Sequence, residues 1–198
     1  MILAHRYPIF RHFIINDWEK SGKPLPPPHQ LKQTIIEHYK SISGYNILVE
    51  TGTYLGDMVA AQRKNFKQIY TIELEEKLYR RAVKRFFKYK NIKIFQGDSG
   101  KRLGDIIKLL KEPAIFWLDG HYSEGITARG EKDCPIFEEI DAISENKGLK
   151  HILLIDDARC FNGEGDYPTI DQLTDYINKK GIECNLSVEN DIIRYFIT

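Results

Sequence analysis

The chain has 198 residues, of which 42% are hydrophobic and 29% charged, as in ordinary globular proteins. This length allows one large domain and is short for two. The formal net charge of +1 gives no reason to expect a polyanionic partner, and no apolar run reaches the roughly 20 residues that a membrane span needs. Three widely spaced cysteines, Cys134, Cys160 and Cys184, form no paired motif. They indicate a reducing, cytoplasmic setting and argue against a disulfide framework or a Cys-based zinc site.

Residues 1–28 differ in composition from the rest of the chain. They are rich in aromatic and basic residues and end in the proline-rich segment GKPLPPPHQ. Proline fixes φ and removes a backbone donor, so this segment is expected to be a rigid, extended connector. We therefore expect an N-terminal arm, packed on the surface or acting as a lid over a site, followed by one domain of residues 29–198.

From residue 29 onward, helix-like and strand-like segments alternate. The predicted strands are YNILVE, QIYTIE, IKIFQ, AIFWLD, HILLID, CNLSVEN and IIRYFIT. The predicted helices are HQLKQTIIEHYKSI, GDMVAAQRKNF, EEKLYRRAVKRFFKYK, GKRLGDIIKLLK, PIFEEIDAISEN and TIDQLTDYINKK, the last opened by a capping box of Thr169 and Gln172. This alternation predicts an α/β fold with a mostly parallel, doubly wound sheet of seven strands. Only a turn at Asn190 and Asp191 separates the last two strands, which makes the last strand antiparallel.

The first three predicted strands end in a pattern that suits an adenosine ligand. Glu50 closes the first strand and is followed by Gly52 and Gly56, which let a backbone approach a ligand or simply pack a helix against a strand. Glu73 ends the second strand 21 positions after Gly52, where a carboxylate can accept both ribose hydroxyls. Asp98 and Ser99 follow the third strand, beside the position that an adenine would occupy. Ligands of such sheets bind beyond these carboxyl ends.

Residues 45–198 resemble the class I S-adenosylmethionine-dependent methyltransferases, whose Rossmann-like seven-stranded sheet also ends in a reversed strand. The resemblance implies an S-adenosylmethionine site. In that site Glu50 and Gly52, with Thr51 and Gly56 beside them, line the methionine moiety. It also implies that Glu73 holds the ribose, and that Asp98 with Ser99 contacts the adenine.

Carboxylates also end the fourth and fifth strands, which are neighbours in this topology. Asp119 follows AIFWL, and Asp156 and Asp157 follow HILLI. Three converging carboxylates repel one another unless a positive charge lies between them, and Mg²⁺ is the divalent ion that best suits oxygen ligands. The arrangement resembles the metal-dependent O-methyltransferases, including the sugar methyltransferases of macrolide and aminocoumarin pathways. The resemblance implies a metal held by Asp119, Asp156 and Asp157, and a small hydroxylated molecule or sugar as acceptor.

His121 is a departure from that family, whose members carry a second acid at this position as the suspected base. We predict that His121 is the general base, with a metal ligand and a bystander as the alternatives. Asp119 is assigned to catalysis together with His121, and also to the cofactor site. The glycine-rich segments SEGITARGEKD, which contains Arg129, and NGEGDYP are predicted to cover the acceptor. The oligomeric state stays open, and a homodimer is compatible with the pattern.

Three other functions fit parts of the sequence. Seven basic residues lie on one predicted helix, and they could bind RNA phosphates in a nucleic-acid methyltransferase: Lys77, Arg80, Arg81, Lys84, Arg85, Lys88 and Lys90. We expect instead a solvated outer face and no nucleic-acid partner. His121, Asp119 and a further carboxylate could form the iron site of a hydroxylase on the same fold. A non-catalytic binding protein is the third alternative.

Overall fold

The computed structural model describes residues 8–120, 133–146 and 148–198. Its helices are α1 (Pro8–Lys20), α2 (His29–Ser43), α3 (Asp57–Gln62), α4 (Glu76–Phe86), α5 (Ser99–Ile107), α6 (Ile136–Ser144) and α7 (Ile170–Lys179). Its strands are β1 (Ile47–Thr51), β2 (Gln68–Glu73), β3 (Ile92–Gln96), β4 (Ala114–Leu118), β5 (Ile152–Ile155), β6 (Cys184–Glu189) and β7 (Ile192–Ile197). A short 3₁₀ turn, Ala158–Cys160, follows β5.

The seven strands form one sheet in the order β3-β2-β1-β4-β5-β7-β6. Neighbours from β3 to β5 pair in parallel, whereas β7 runs antiparallel to both β5 and β6. The predicted fold class, including the reversed last strand, is therefore confirmed. The strand order reverses between β1 and β4, and this switch point is where open α/β sheets bind their ligands.

Apolar residues on both faces of the central strands explain why helices cover the sheet on two sides. Every residue of β1, β4 and β5 is buried, as continuous apolar runs in parallel strands predict. One core cluster joins the sheet to α5, α6 and α7, and the other joins it to α2, α3 and α4. The carboxyl edge of the sheet lies between these two layers.

The helix boundaries follow local signals, with one difference in α4. Gly44 ends α2 in the left-handed region at φ 72°, and Thr169 caps α7 in the predicted capping box. Helix α4 ends at Phe86, earlier than predicted. Its Val83 and Phe87 are exposed, so the buried stripe is Leu78, Ala82 and Phe86, spaced by four residues.

Helix α1 packs on α2 through a charged contact. Arg11 donates hydrogen bonds to Glu37 at 2.6 Å and to Gln33 at 3.2 Å. The Trp18 indole is buried and donates to the carbonyl of Pro24 at 2.7 Å, which anchors the connector to the helix. Whether the arm also acts as a lid stays a prediction. In the part of the chain that the structure describes, no helix is long and apolar enough to cross a membrane.

Candidate active site at the carboxyl edge of the sheet

The turn after β1 brings the backbone of Gly52 against the end of β4. Gly52 has a φ of 83°, and its N–H donates to the carbonyl of Ile72 at 3.1 Å. A Cβ at this position would overlap the carbonyl oxygen of Asp119. Glycine is thus required here both by the left-handed backbone and by the close approach of two strand ends. Close packing thus explains this glycine, and its contact with the methionine moiety stays a prediction.

Glu73, at the end of β2, is held by backbone donors of the turns on either side of it. Its carboxylate accepts hydrogen bonds from the N–H of Tyr54 at 2.7 Å and of Glu75 at 2.9 Å, one on each oxygen. Burial raises the pKa of this carboxyl group, and the backbone hydrogen bonds oppose the rise. Each carboxylate oxygen can accept a further hydrogen bond, so the group is oriented and still able to bind a diol.

Glu50 is a fully buried acid in the middle of the site. Thr71 donates to its carboxylate at 2.5 Å, and Thr53 shares a second 2.5 Å hydrogen bond with Thr71. Burial raises the pKa of Glu50 to about 8, the Thr71 hydrogen bond opposes the rise, and the nearby charge of Glu73 adds to it. Such an acid is stabilised in its ionised form by a positively charged ligand.

The loop after β3 caps a helix and leads to an acid that the sequence did not reveal. The Asp98 side chain accepts from the N–H of Gly100 at 2.9 Å and so caps α5, next to the buried Ser99. Glu139 of α6 lies near the hydroxyls of Ser99 and Thr51, is buried and was not predicted as a site residue. Burial raises the pKa of Glu139 to about 7, and the neighbouring hydroxyls of Ser99 and Thr51 oppose the rise.

Gly56 serves helix packing. Its φ is 77°, and a Cβ there would lie 2.7 Å from the ring of Phe86 in α4. The packing alternative for this glycine therefore has a direct structural basis. Its assignment to the cofactor stays a prediction.

The acids after β4 and β5 lie side by side, as predicted. The N–H of Asp156 donates to the carbonyl of Leu118 at 3.0 Å, which continues the β4–β5 pairing up to Asp119. Burial raises the pKa of Asp119 well above its usual range, and the charges of Asp156, Asp157 and Glu50 add to the rise. Asp156 is 1% exposed, and burial raises its pKa to about 6 despite the attraction of a nearby lysine.

That lysine is Lys32, on the first turn of α2. Its ammonium contacts Oδ2 of Asp156 and lies 3.6 Å from Oδ1 of Asp157. Burial alone would lower the pKa of Lys32, but Asp156, Asp119 and Asp157 more than offset this effect and raise it. Sequence reasoning found the three carboxylates and missed the cation that faces them.

Asp157 also contacts a second cation, Arg159. Its backbone is left-handed, with a φ of 56°, so the chain turns sharply after β5. Its carboxylate accepts from Arg159 at 2.9 Å, and Arg159 in turn contacts Asp191 in the β6–β7 turn. The two adjacent acids therefore share Lys32, and Asp157 pairs in addition with Arg159.

The predicted magnesium site does not fit the residues that are described. Across residues 8–120, 133–146 and 148–198, no group of three His, Cys, Asp or Glu side chains is arranged to hold a metal ion. The Lys32 ammonium lies where the ion was expected, next to Asp156 and Asp157. His121 and Arg129 lie outside the described residues, so their roles as base, ligand and covering-loop residue stay predictions. Asp133, the last residue of SEGITARGEKD, donates its N–H to Asp166 of NGEGDYP at 2.8 Å, and the covering role of the two segments stays a prediction.

Two of the seven basic residues on and after α4 pair with acids of the same chain. Arg80 pairs with Glu76 at 2.6 Å, and Arg85 pairs with Asp57 at 2.8 Å. Part of its positive charge is therefore balanced by acids of the same chain. The absence of a nucleic-acid partner stays a prediction.

The seven-stranded sheet matches the Rossmann-like fold of solved methyltransferase structures. The methyltransferase domain of bacterial CtHen1 is 13% identical and superposes with a TM-score of 0.56, over 86% of this chain and 99% of that one. The O-methyltransferase TomG of Streptomyces achromogenes, in complex with S-adenosylmethionine, is 10% identical and superposes with a TM-score of 0.56, over 95% of this chain and 88% of that one. The N-methyltransferase NodS of Bradyrhizobium japonicum, bound to S-adenosylhomocysteine, is 14% identical and superposes with a TM-score of 0.54, over 93% of this chain and 98% of that one. No protein-family model and no curated protein matches the sequence.

Proposed function

We propose that this protein is an S-adenosylmethionine-dependent methyltransferase that methylates an oxygen of a small hydroxylated molecule or sugar. The observation that carries the proposal is the Glu73 carboxylate, which two backbone N–H groups hold at the end of β2, beside the Gly52 turn. Solved structures of the same fold contain S-adenosylmethionine or S-adenosylhomocysteine. The residues at this edge suit such a cofactor in both charge and shape.

The acids at the ends of β1, β2 and β3 would each bind a different part of the cofactor. Glu73 would accept the two ribose hydroxyls, and the buried Glu50 would meet the positive charge of the methionine moiety. Asp98 and Ser99 would flank the adenine at the start of α5. When bound, the cofactor supplies an electrophilic methyl group on a sulfonium. The chain's residues hold that group in line with the acceptor and keep water away.

The acceptor side requires removal of one proton. Transfer of the methyl group to the acceptor oxygen would leave S-adenosylhomocysteine as the product and would release the hydroxyl proton. The hydroxyl proton passes to a base, and we assign that role to His121, with Asp119 beside it. Among the described residues, no group is arranged to hold the predicted magnesium ion.

Two measurements test this function. Isothermal titration calorimetry should show S-adenosylhomocysteine binding with a roughly micromolar dissociation constant. Transfer of a labelled methyl group from S-adenosylmethionine to a panel of sugars and phenols should then identify the acceptor class. A wild-type protein that binds neither form of the cofactor would contradict the proposal. Labelling confined to amines would retain the methyltransferase and reject oxygen as the acceptor atom.

A further inference from the structure

The carboxyl edge of β4 and β5 concentrates negative charge in a poorly solvated place. Asp119 follows β4, and Asp156 and Asp157 follow the neighbouring strand β5. Uncompensated carboxylates so close together repel one another strongly where water is scarce. A positive charge is therefore part of what makes this edge stable.

Lys32 supplies such a charge from within the chain. Its side chain is 13% exposed and that of Asp156 1% exposed, so the contact is shielded from solvent. The other oxygen of Asp156 accepts the N–H of Asp157 at 2.9 Å. Both oxygens of Asp156, one of the three predicted metal ligands, are thus engaged by donors of the protein.

Helix α2 holds Lys32 in place. Gln62 of α3 donates to the carbonyl of the adjacent Gln33 at 3.1 Å, and Ile35 and Ile36, three and four residues on, are buried in the core. Residues three and four apart share a helix face, so Lys32 lies on the buried face of α2. Its direction toward the carboxyl edge follows from the packing of the helix.

We propose that Lys32 is the resident cation of this site and takes the position that a divalent ion would otherwise hold between the strand-end carboxylates. The inference rests on the proposed function only where it treats this edge as part of a methyltransferase active site. The charge balance itself is a property of the free protein. Removal of the ammonium should create a vacancy that a divalent ion can fill.

Manganese binding to the full chain, followed by electron paramagnetic resonance, tests this directly. Wild-type protein should leave Mn²⁺ free at millimolar concentration, whereas Lys32→Ala should bind about one equivalent at least ~10 times more tightly. Lys40→Ala, a change in a lysine on the same helix that contacts Phe66 and Gly44, should behave as wild type. Adding Asp156→Asn to Lys32→Ala should abolish the binding. Lys32→Arg keeps the charge and should leave Mn²⁺ free, which provides a variant less disturbing to folding.

Two results would overturn the inference. One is wild-type protein that binds Mn²⁺ and loses it on Asp156→Asn, and the other is a folded Lys32→Ala variant that binds no more Mn²⁺ than wild type. The S-adenosylhomocysteine titration is run on the same samples. If wild-type protein does not bind S-adenosylhomocysteine, the proposed function is refuted while the Mn²⁺ result stands. Failure of the proposed function and failure of the Lys32 inference are therefore distinguishable.

Discussion

Gly52 lies so close to the carbonyl oxygen of Asp119 that the ends of β1 and β4 leave no room for a side chain between them. The contact joins the turn assigned to the cofactor with the strand end assigned to the acceptor. A change in one half of the site is therefore transmitted to the other through backbone atoms.

Gly52→Ala tests this contact. The substitution places a methyl group against Asp119 and forces a non-glycine residue to a φ of 83°. We expect a loss of about 2–4 kcal/mol in the free energy of unfolding and a loss of cofactor binding. Urea denaturation measures the first and calorimetry the second. Gly104→Ala is the matched control, because a Cβ there meets open space. For this control we expect the free energy of unfolding to rise by up to about 1 kcal/mol, because alanine favours the helix more than glycine.

Glu73→Ala should weaken S-adenosylhomocysteine binding by about 1.5–3 kcal/mol, through loss of a charge-assisted hydrogen bond. Titration calorimetry gives this value. Glu76→Ala, on the exposed face of α4, should leave affinity unchanged. Equal affinities for the wild type and Glu73→Ala would remove Glu73 from the cofactor site.

The buried acid Glu50 should make stability depend on pH. Burial raises its pKa from 4.5 to about 8, so the folded protein holds a proton that the unfolded chain releases. Its contribution to stability is full below pH 4.5 and is lost as pH rises from 4.5 to about 8. Glu139, with a pKa raised to about 7, acts in the same direction.

The difference between wild type and Glu50→Gln isolates the Glu50 contribution. Between pH 5 and 8, the wild type should lose about 2–4 kcal/mol more of its unfolding free energy than Glu50→Gln, since one pKa unit is worth about 1.4 kcal/mol. Urea titrations at several pH values provide the data. Glu112→Gln, at an exposed position, should follow the wild-type curve. Parallel curves for wild type and Glu50→Gln would show that Glu50 does not bind the extra proton.

Asp156 should matter more than Asp157. Asp156→Asn leaves the shielded Lys32 ammonium without its main partner and should cost about 3–5 kcal/mol of stability. The Asp157 side chain is 24% exposed, so its ion pairs are better solvated than the pair of Lys32 with Asp156. Asp157→Asn should therefore cost about 1 kcal/mol of stability or less. The double change Lys32→Met with Asp156→Asn should recover much of the larger loss. Strictly additive losses in this cycle would mean that the two groups are not coupled.

His121→Ala should lower turnover by roughly 10²–10⁴ while cofactor affinity stays intact, if His121 is the general base. Single-turnover kinetics with the identified acceptor separate this from a binding defect. Recovery of the rate with excess Mg²⁺ would make His121 a metal ligand. Wild-type turnover would make it a bystander.

The sheet and its acidic strand ends could be predicted from sequence because they follow from short-range patterns. Apolar runs such as AIFWL and ILLI mark buried strands, and parallel strands bring their carboxyl ends to one edge. The turn at Asn190 and Asp191, both with positive φ, was likewise visible as turn chemistry.

Lys32 could not be predicted in the same way. It precedes the first strand, and its partner Asp156 lies 124 positions later, so only tertiary packing brings them together. A weak signal existed, since Lys32 shares a helix face with the apolar Ile35 and Ile36. Glu139 was missed for a similar reason, because it sits on a helix and only its contacts with Thr51 and Ser99 tie it to the site.

The position of β7 has a consequence for the order in which the protein is made. This strand is synthesised after the other six, yet it lies inside the sheet between β5 and β6. Asp191, which precedes it, accepts the backbone N–H of Arg159 and so fixes the turn that carries Asp157. A nascent chain can assemble β1 to β5 on the ribosome, but the carboxylate side of the edge is completed only when the final hairpin has emerged. The growing polypeptide is thus expected to acquire its cofactor turn before its acceptor side.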